Sequence, residues 1–177
     1  MTSDQDPFVE PPTAISDPDE LIVGFLDCYR ETLLRKVAGL TDDEMRASRL
    51  PSGWSPLGLV RHLTFVERRW LRWGFLAMDF DGIWGDTDPQ RPDGPWPVPE
   101  SMSVTDVLDG YRAEIALCRR VPAEHAMSER GRAGGRFDED QPVPTLGWIM
   151  LHLIQEYARH VGHLDVVREL IDGTVGE

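Results

Sequence analysis

Three side chains of this 177-residue chain combine types and spacing that suit a metal ion: His62, Glu156 and His160. Glu156 and His160 are four residues apart, so in a helix both point the same way and reach a common point. On a helical wheel His160 falls near the centre of the apolar stripe and Glu156 within its inward half. His62 borders the apolar stripe of an earlier segment. Two imidazoles and one carboxylate leave a position open for water or substrate, as in catalytic zinc sites.

The same three residues allow other interpretations. Their ligand set also suits Fe(II), Ni(II) or Mn(II), so zinc is only the first choice of divalent ion. A lone inward histidine is more often a hydrogen-bonded core group than a ligand, and Glu156 could pair with Arg61 or Arg112 of a neighbouring helix. Because Glu-x-x-x-His pairs are common by chance, spacing alone leaves the metal site and this structural interpretation open.

Helices are the elements that must position these residues. Apolar residues recur at helical spacing in four segments, at about 17–39, 55–77, 103–120 and 145–172. Typical start signals are Asp17-Pro18, Ser55-Pro56 and Ser103 with Asp106, and typical end signals are Pro122 and Gly173. No segment alternates as a strand would. The sequence predicts an all-α four-helix bundle over residues 17–177, after a flexible tail at 1–16, with a long loop at 79–101 between helices two and three.

The composition bears on partners and location. The chain carries 31 acidic and 18 basic residues, a net charge of −13, which disfavours nucleic acid and anionic membranes as partners. No apolar run is long enough to span a bilayer, the N-terminus lacks a secretion signal, and Cys28 and Cys118 show no CxxC pattern. We therefore expect a cytoplasmic protein. The sequence also lacks the HExxH motif of zincins and the paired Glu-x-x-His motifs of di-iron bundles.

Two short motifs resemble the signatures of the DinB-like superfamily. Trp54-Ser55 followed by Arg61-His62-Leu63 resembles its W-S…H-L signature, and the segment 152–163 resembles H-x3-H-x3-H-R-G-Q. Within that superfamily the chain resembles the mini-circle-protein branch, over nearly its whole length after residue 16. The resemblance implies metal ligands at His62, Glu156 and His160.

The chain departs from that pattern at three positions. Glu156 stands in place of a histidine, Val161 in place of an arginine and His163 in place of a glutamine. The first departure resembles mycothiol-dependent maleylpyruvate isomerase, whose triad is also His, Glu and His. The resemblance therefore implies an S-transferase or isomerase that uses a low-molecular-weight thiol, mycothiol or bacillithiol, since a metal-bound thiol is deprotonated.

Further residues acquire expected roles from this activity. His163 is the candidate catalytic residue, because an imidazole titrates near working pH and can transfer a proton. His152 is expected beside the site or at the surface. Arg130, Arg132 and Arg136 of a glycine-rich loop could hold a carboxylate of the thiol or substrate, or lie in a solvated loop. The 79–101 loop, with its two tryptophans, could cover the metal or only pack on the helices.

Two other functional classes stay open from the sequence. A metal-assisted hydrolase would use metal-bound water as its nucleophile and would work without a thiol. A non-catalytic protein that binds a metal or small molecule would have the fourth coordination position closed by His163 or His152. Bundles of this kind often pair through an exposed helix face, so a homodimer is one expected arrangement.

Overall fold

The computed structural model describes residues 10–92 and 94–176. Its helices are α1 (Pro18–Val37), α2 (Asp42–Arg46), α3 (Pro56–Glu67), a π-helical segment (Arg68–Phe75), α4 (Val104–Cys118), α5 (Arg120–Glu124) and α6 (Leu146–Asp172). Within the described residues there are two isolated β-bridges and no strand. The prediction of an all-α fold is confirmed.

The four longest α-helices begin where polar capping residues predict. Asp17, Ser55, Ser103 and Thr145 each accept a hydrogen bond from a backbone N–H of the first turn that follows. This contact satisfies a donor that would otherwise lack a partner inside the helix. Gly173 ends α6 with φ of 75°, a left-handed conformation that favours glycine.

The helical segments differ from the prediction in three places. The predicted second helix changes at Arg68 into a π-helix, in which Leu76 N donates to Leu71 O, five residues back, at 3.1 Å. The predicted third helix ends at Cys118, and Pro122 lies inside α5, where the first turn needs no N–H from it. The short α2 was not predicted, although Thr41 and Glu44 form a capping box there.

Contacts between the long helices give their directions. Tyr29 and Thr32 of α1 line one small cavity with Ala158 and Val161 of α6, and further along both helices Lys36 pairs with Asp165. Helices α1 and α6 therefore run parallel.

A second pair of helices is also parallel. The start of α3 faces the start of α4 around a shared cavity at Arg61 and Val107, and Arg72 reaches Glu114 further along. Parallel neighbours need a long crossover, which explains the length of the connection from Phe75 to Val104. The finer prediction of a four-helix bundle stays a prediction.

The N-terminal segment lies partly within the described residues. The predicted tail covers 1–16, of which 1–9 fall outside them, so the division into a tail and a domain at 17–177 stays a prediction. Pro11 packs closely on α1, because a Cβ at Gly24 would lie 2.9 Å from Pro11 Cγ. In the described part of the chain no helix has the length and apolar content to cross a bilayer.

The core contains a buried ion pair between α1 and α3. Arg30 donates to both carboxylate oxygens of Glu67 at 2.7 Å, and the side chains are 1% and 0% exposed. Arg30 also donates to Asp27 at 2.8 Å. Removing one partner of such a pair is costly because the other charge stays buried.

We expect Glu67→Gln to destabilise the protein by about 3 kcal/mol, the lower end for a broken buried pair, since Asp27 still contacts Arg30. The measurement is the free energy of unfolding in urea. Asp109→Asn is the matched control, because Asp109 and its partner Arg112 are exposed on α4 and such pairs contribute little. Equal stability of Glu67→Gln and the wild type would contradict the role of this pair.

Candidate metal centre

The antiparallel crossing of α3 and α6 brings His62, Glu156 and His160 together. Each residue offers one ligand atom, and these atoms lie within 4.8 Å of one another. The imidazole rings of His62 and His160 are 5.1 Å apart between centroids, and His160 Nε2 lies 3.5 Å from Glu156 Oε2. Ligand atoms around a tetrahedral zinc ion with bonds of about 2.0–2.2 Å are about 3.4 Å apart. The triad therefore has the dimensions and donor types for one ion.

The arginine partners suggested for Glu156 are engaged elsewhere. Arg61 donates to Pro97 O at 2.8 Å, and Arg112 pairs with Asp109. The Glu156 carboxylate instead faces His152 and His160, each with its Nε2 at 3.5 Å. This carboxylate therefore has two histidine neighbours at the outer limit of hydrogen-bond distance.

His160 has an unused ring nitrogen. Its Nδ1 is buried and has no hydrogen-bond partner among the described residues, and its Nε2 makes only the long contact with Glu156. Buried polar atoms normally have partners, so the Nδ1 leaves His160 with an unused hydrogen-bonding atom. The Nε2, which faces the Glu156 carboxylate at 3.5 Å, is the nitrogen placed to share an ion with it. This observation supports the fit of a metal ion.

Asp86 orients His62, and the sequence did not reveal it. The His62 Nδ1 lies 2.9 Å from Asp86 Oδ2. Because an ionised carboxylate can only accept, the Nδ1–H donates to it and leaves the Nε2 lone pair free. Asp86 is 0% exposed and also accepts from Arg69 at 2.5 and 3.0 Å. Histidines that bind metals commonly donate their second ring N–H to a carboxylate in this way.

Asp86 lies in the 79–101 loop, where acidic residues are frequent. Asp79, Asp81 and Asp88 occupy the same stretch, and nothing in their sequence context separates them from Asp86. Only burial and its two partners distinguish this carboxylate. The length of the loop was the one available sign that the segment matters.

The environment favours the protonation states that metal binding requires at His62 and Glu156. Burial lowers the pKa of His62, and this effect outweighs the opposing hydrogen bond to Asp86. The hydrogen bond from His160 lowers the pKa of Glu156 against the opposing effect of burial. Burial alone would raise the pKa of Asp86, but hydrogen bonds from His62 and Arg69 lower it. A neutral imidazole and an ionised carboxylate are the forms that bind metal.

Trp96 of the 79–101 loop packs on the two histidines. Its ring stacks on His62 at 4.1 Å between centroids and meets His160 edge-on at 5.2 Å. Gly58 permits this approach, because a Cβ there would lie 2.6 Å from Trp96 O. The second tryptophan of the loop, Trp84, is half exposed and lies under Arg69 at 4.5 Å. The Trp96 end of the loop thus covers the two histidines of the triad, and Trp84 contacts Arg69, which pairs with Asp86.

The other histidines on α6 lie around the triad. His163 is exposed, and its ring centroid is 6.2 Å from that of His160. His152 lies between two tryptophans, with centroids 4.2 Å from Trp70 and 5.4 Å from Trp148. The structure therefore brings both histidines near the site, and the catalytic role predicted for His163 stays a prediction.

The three arginines of the glycine-rich loop occupy different surroundings. Arg130 is exposed and donates to Val143 O at 2.7 Å, and Arg132 is exposed as well. Arg136 is half-buried and lies over Trp70, with 4.1 Å between its Cζ and the ring centroid. Of the three, Arg136 is the one that packs beside the candidate metal centre.

The largest cavity described lies elsewhere. It has a volume of about 900 Å³ and lies between the N-terminal segment, the start of α1 and α5. None of the three triad residues lines it. The cavity is therefore separate from the candidate metal centre.

A comparison with protein families gives a match over most of the chain. A family model described as "MST: Mycothiol-S-transferase" matches residues 21–173, which include the whole triad. This match is consistent with a member of the DinB-like superfamily, and the mini-circle-protein branch stays a prediction. No curated protein matches the chain.

The lowered pKa of His62 predicts how stability depends on pH in the metal-free protein. The unfolded chain takes up the proton first as the pH falls through about 6.5, so unfolding becomes more favourable. The lowered pKa values of Glu156 and Asp86 affect the free energy of unfolding only below about pH 4.5. We expect His62→Gln to lose less stability than the wild type between about pH 7.5 and 5.5.

Urea unfolding at both pH values, after treatment with a chelator, measures this difference. Trp96→Phe is the control, since it keeps an aromatic ring on His62 and changes no titrating group. It should show the wild-type decline. A decline in His62→Gln as steep as that of the wild type would refute the assignment.

Proposed function

The chain belongs to the mycothiol-S-transferase family, and we propose that it is a metal-dependent enzyme that joins the sulfur of mycothiol to an electrophilic small molecule. The observation that carries the proposal is the convergence of His62, Glu156 and His160 within 4.8 Å, inside the region that the family matches. Bacillithiol, a thiol of the same size class, is the alternative co-substrate.

The proposed ligands are His62, Glu156 and His160, and zinc is the first choice of ion, with nickel or iron as alternatives. When bound, such an ion would lower the pKa of the co-substrate thiol, so that the thiolate forms at neutral pH. Asp86 positions His62 through the hydrogen bond to Nδ1. Three protein ligands leave a coordination position for the thiol.

His163 is the proposed proton-transfer residue. Its exposed imidazole lies near His160 and can exchange a proton with solvent. In the transfer, the thiol loses its proton to the imidazole, the sulfur forms a bond to the electrophilic carbon, and the bond from that carbon to the leaving group breaks. The imidazole then returns the proton to the leaving group or to water. An isomerase would instead add the sulfur to one carbon of a conjugated double bond and the proton to the other. After rotation about the resulting single bond, loss of the same proton and of the thiol would restore the double bond.

Trp96 is proposed to limit the access of water to the reacting sulfur. The ring covers both histidines, and Arg61 fastens the loop by donating to Pro97 O at 2.8 Å. The 79–101 loop is thus proposed as a cover over the metal. A cytoplasmic location and a homodimer remain predictions from the sequence, as does the exclusion of nucleic acid and membrane partners.

Metal content tests the triad directly. Protein purified without an affinity tag should hold about one divalent ion per chain, since the triad offers one set of ligands, and both Glu156→Gln and His160→Ala should lose it. His125→Ala is the matched control, because His125 and Glu129 form a His–Glu pair at the same spacing outside the site. An absence of metal in the wild type after incubation with Zn²⁺, Ni²⁺ and Fe²⁺ would refute the site.

Transfer activity tests the chemistry. With mycothiol and chlorodinitrobenzene, the metal-loaded protein should accelerate formation of the thioether and release of chloride, and removal of the metal should abolish the acceleration. We expect His163→Gln to lower kcat by about 10²-fold or more while metal content stays that of the wild type. Turnover of ester or amide substrates without any thiol would instead indicate a metal-assisted hydrolase.

A further inference from the structure

Arg136 is a guanidinium without a carboxylate partner. It lies 4.1 Å above Trp70 and about 6 Å from Trp73 and Trp84, measured from Cζ to each ring centroid. Among the described residues no acidic side chain pairs with it. Burial and the nearby Arg69 lower its pKa. A half-buried cation of this kind lacks the compensating charge that such groups normally have.

The three arginines nearest to Arg136 on the π-helical segment are each paired with a carboxylate. Arg68 and Arg72 pair with Glu114 at 2.6 and 2.9 Å, and Arg69 pairs with Asp86 at 2.5 Å. The chain, which is acidic overall, supplies carboxylates to these three but none to Arg136. The contrast indicates that the missing anion comes from a bound molecule.

The backbone holds Arg136 in place. Arg132 N donates to Phe75 O at 2.9 Å and Arg136 N donates to Trp73 O at 3.3 Å, so the glycine-rich loop is fastened to the π-helical segment. A Cβ at Gly135 would lie 2.2 Å from Trp73 O, which only glycine avoids. The backbone at Arg136 is therefore fixed by the fold, and the contact with Trp70 places the guanidinium.

A line of contacts leads from Arg136 to the metal centre. Trp70, which the guanidinium contacts, also lies 4.2 Å from the ring of His152, measured between ring centroids. His152 in turn approaches Glu156 at 3.5 Å. Trp148 stacks on His152 at 5.4 Å and extends this aromatic wall. Trp70 and His152 therefore separate Arg136 from Glu156, and Trp148, which is 53% exposed, offers an aromatic surface to a flat molecule on this side of the triad.

We propose that Arg136 binds a carboxylate of the electrophilic substrate, and that this substrate carries the carboxylate beside a flat aromatic or conjugated body. The proposal rests on the transferase function for the identity of the ligand as a substrate. A planar guanidinium matches a carboxylate with two parallel hydrogen bonds, and the aromatic wall suits a flat body.

Binding of benzoate to the metal-free protein tests the subsite without any reaction. Benzamide is the matched ligand, because it has the same shape and no charge. In an NMR titration of the tryptophan indole N–H signals, with that of Trp70 assigned through Trp70→Phe, the wild type should bind benzoate about tenfold more tightly than benzamide. Arg136→Gln should lose this preference, and Arg136→Lys should keep part of it, because the charge remains and the planar fork is lost.

Arg132→Gln is the matched variant control, since Arg132 belongs to the same loop and is exposed. It should keep the full preference for benzoate. Equal binding of benzoate and benzamide by the wild type, absence of a shift at Trp70, or retention of the preference in Arg136→Gln would each overturn the proposal. Unfolding midpoints of the variants confirm that they fold.

A kinetic comparison separates this subsite from the transferase function. Chlorodinitrobenzoate should show a KM about tenfold below that of chlorodinitrobenzene in the wild type, and Arg136→Gln should equalise the two with little change in kcat. If the benzoate preference depends on Arg136 but no thiol is transferred, the carboxylate subsite stands and the proposed function fails. If transfer occurs with equal KM values, the function stands and the subsite fails.

Discussion

The buried carboxylate of Asp86 is the constraint on which the site depends. Its charge must be compensated inside the protein, and His62 and Arg69 provide the compensation from positions seven residues apart on one continuous helical run. This contact ties the long loop to the helix and sets the tautomer of His62, and Trp96 of the same loop stacks on that imidazole. The orientation of a proposed metal ligand therefore follows from a single buried charge.

Three successive residues at the junction of α3 and the π-helical segment form ion pairs with three different parts of the fold. Glu67 pairs with Arg30 of α1, Arg68 pairs with Glu114 of α4, and the next residue, Arg69, pairs with the loop. Successive residues in a helix point about 100° apart, so each can face a different neighbour. Since buried charges are costly unless paired, folding must bring each of these charged side chains together with its partner. Against this background, a guanidinium left without an acid beside the site points to a ligand.

The geometry of the triad depends on helical spacing within α6 and on the packing of α3 against α6. Glu156 and His160 share a face of α6 through their four-residue spacing, and the antiparallel crossing of α3 adds His62. The ligand atoms lie close enough for one ion, and burial and hydrogen bonding favour a neutral imidazole at His62 and an ionised Glu156. A family match to mycothiol S-transferases over residues 21–173 gives this geometry a chemical context.

The sequence by itself determined the features that depend on local signals. Helix starts follow from capping residues such as Ser55 and Thr145, whose side chains bond a backbone N–H within the same turn. The outline of α6 and the common face of Glu156 and His160 follow from helical periodicity, which needs no information about the rest of the chain. The choice of His62 as their partner rested on its place beside an apolar stripe and on the DinB-like motifs.

Only the tertiary structure revealed the features that arise from long-range burial. Asp86 looks in the sequence like any loop aspartate, and its role exists because folding removes it from water beside His62 and Arg69. The choice of Arg136 over Arg130 likewise depends on which guanidinium the loop places on Trp70. The π-helical turns that begin at Arg68 have no signal in the local apolar periodicity, and Arg68 of this segment pairs with Glu114 of α4. Local sequence patterns determine where helices begin and which residues share a helix face. The pairing of buried charges, in contrast, is decided between segments that are distant in sequence.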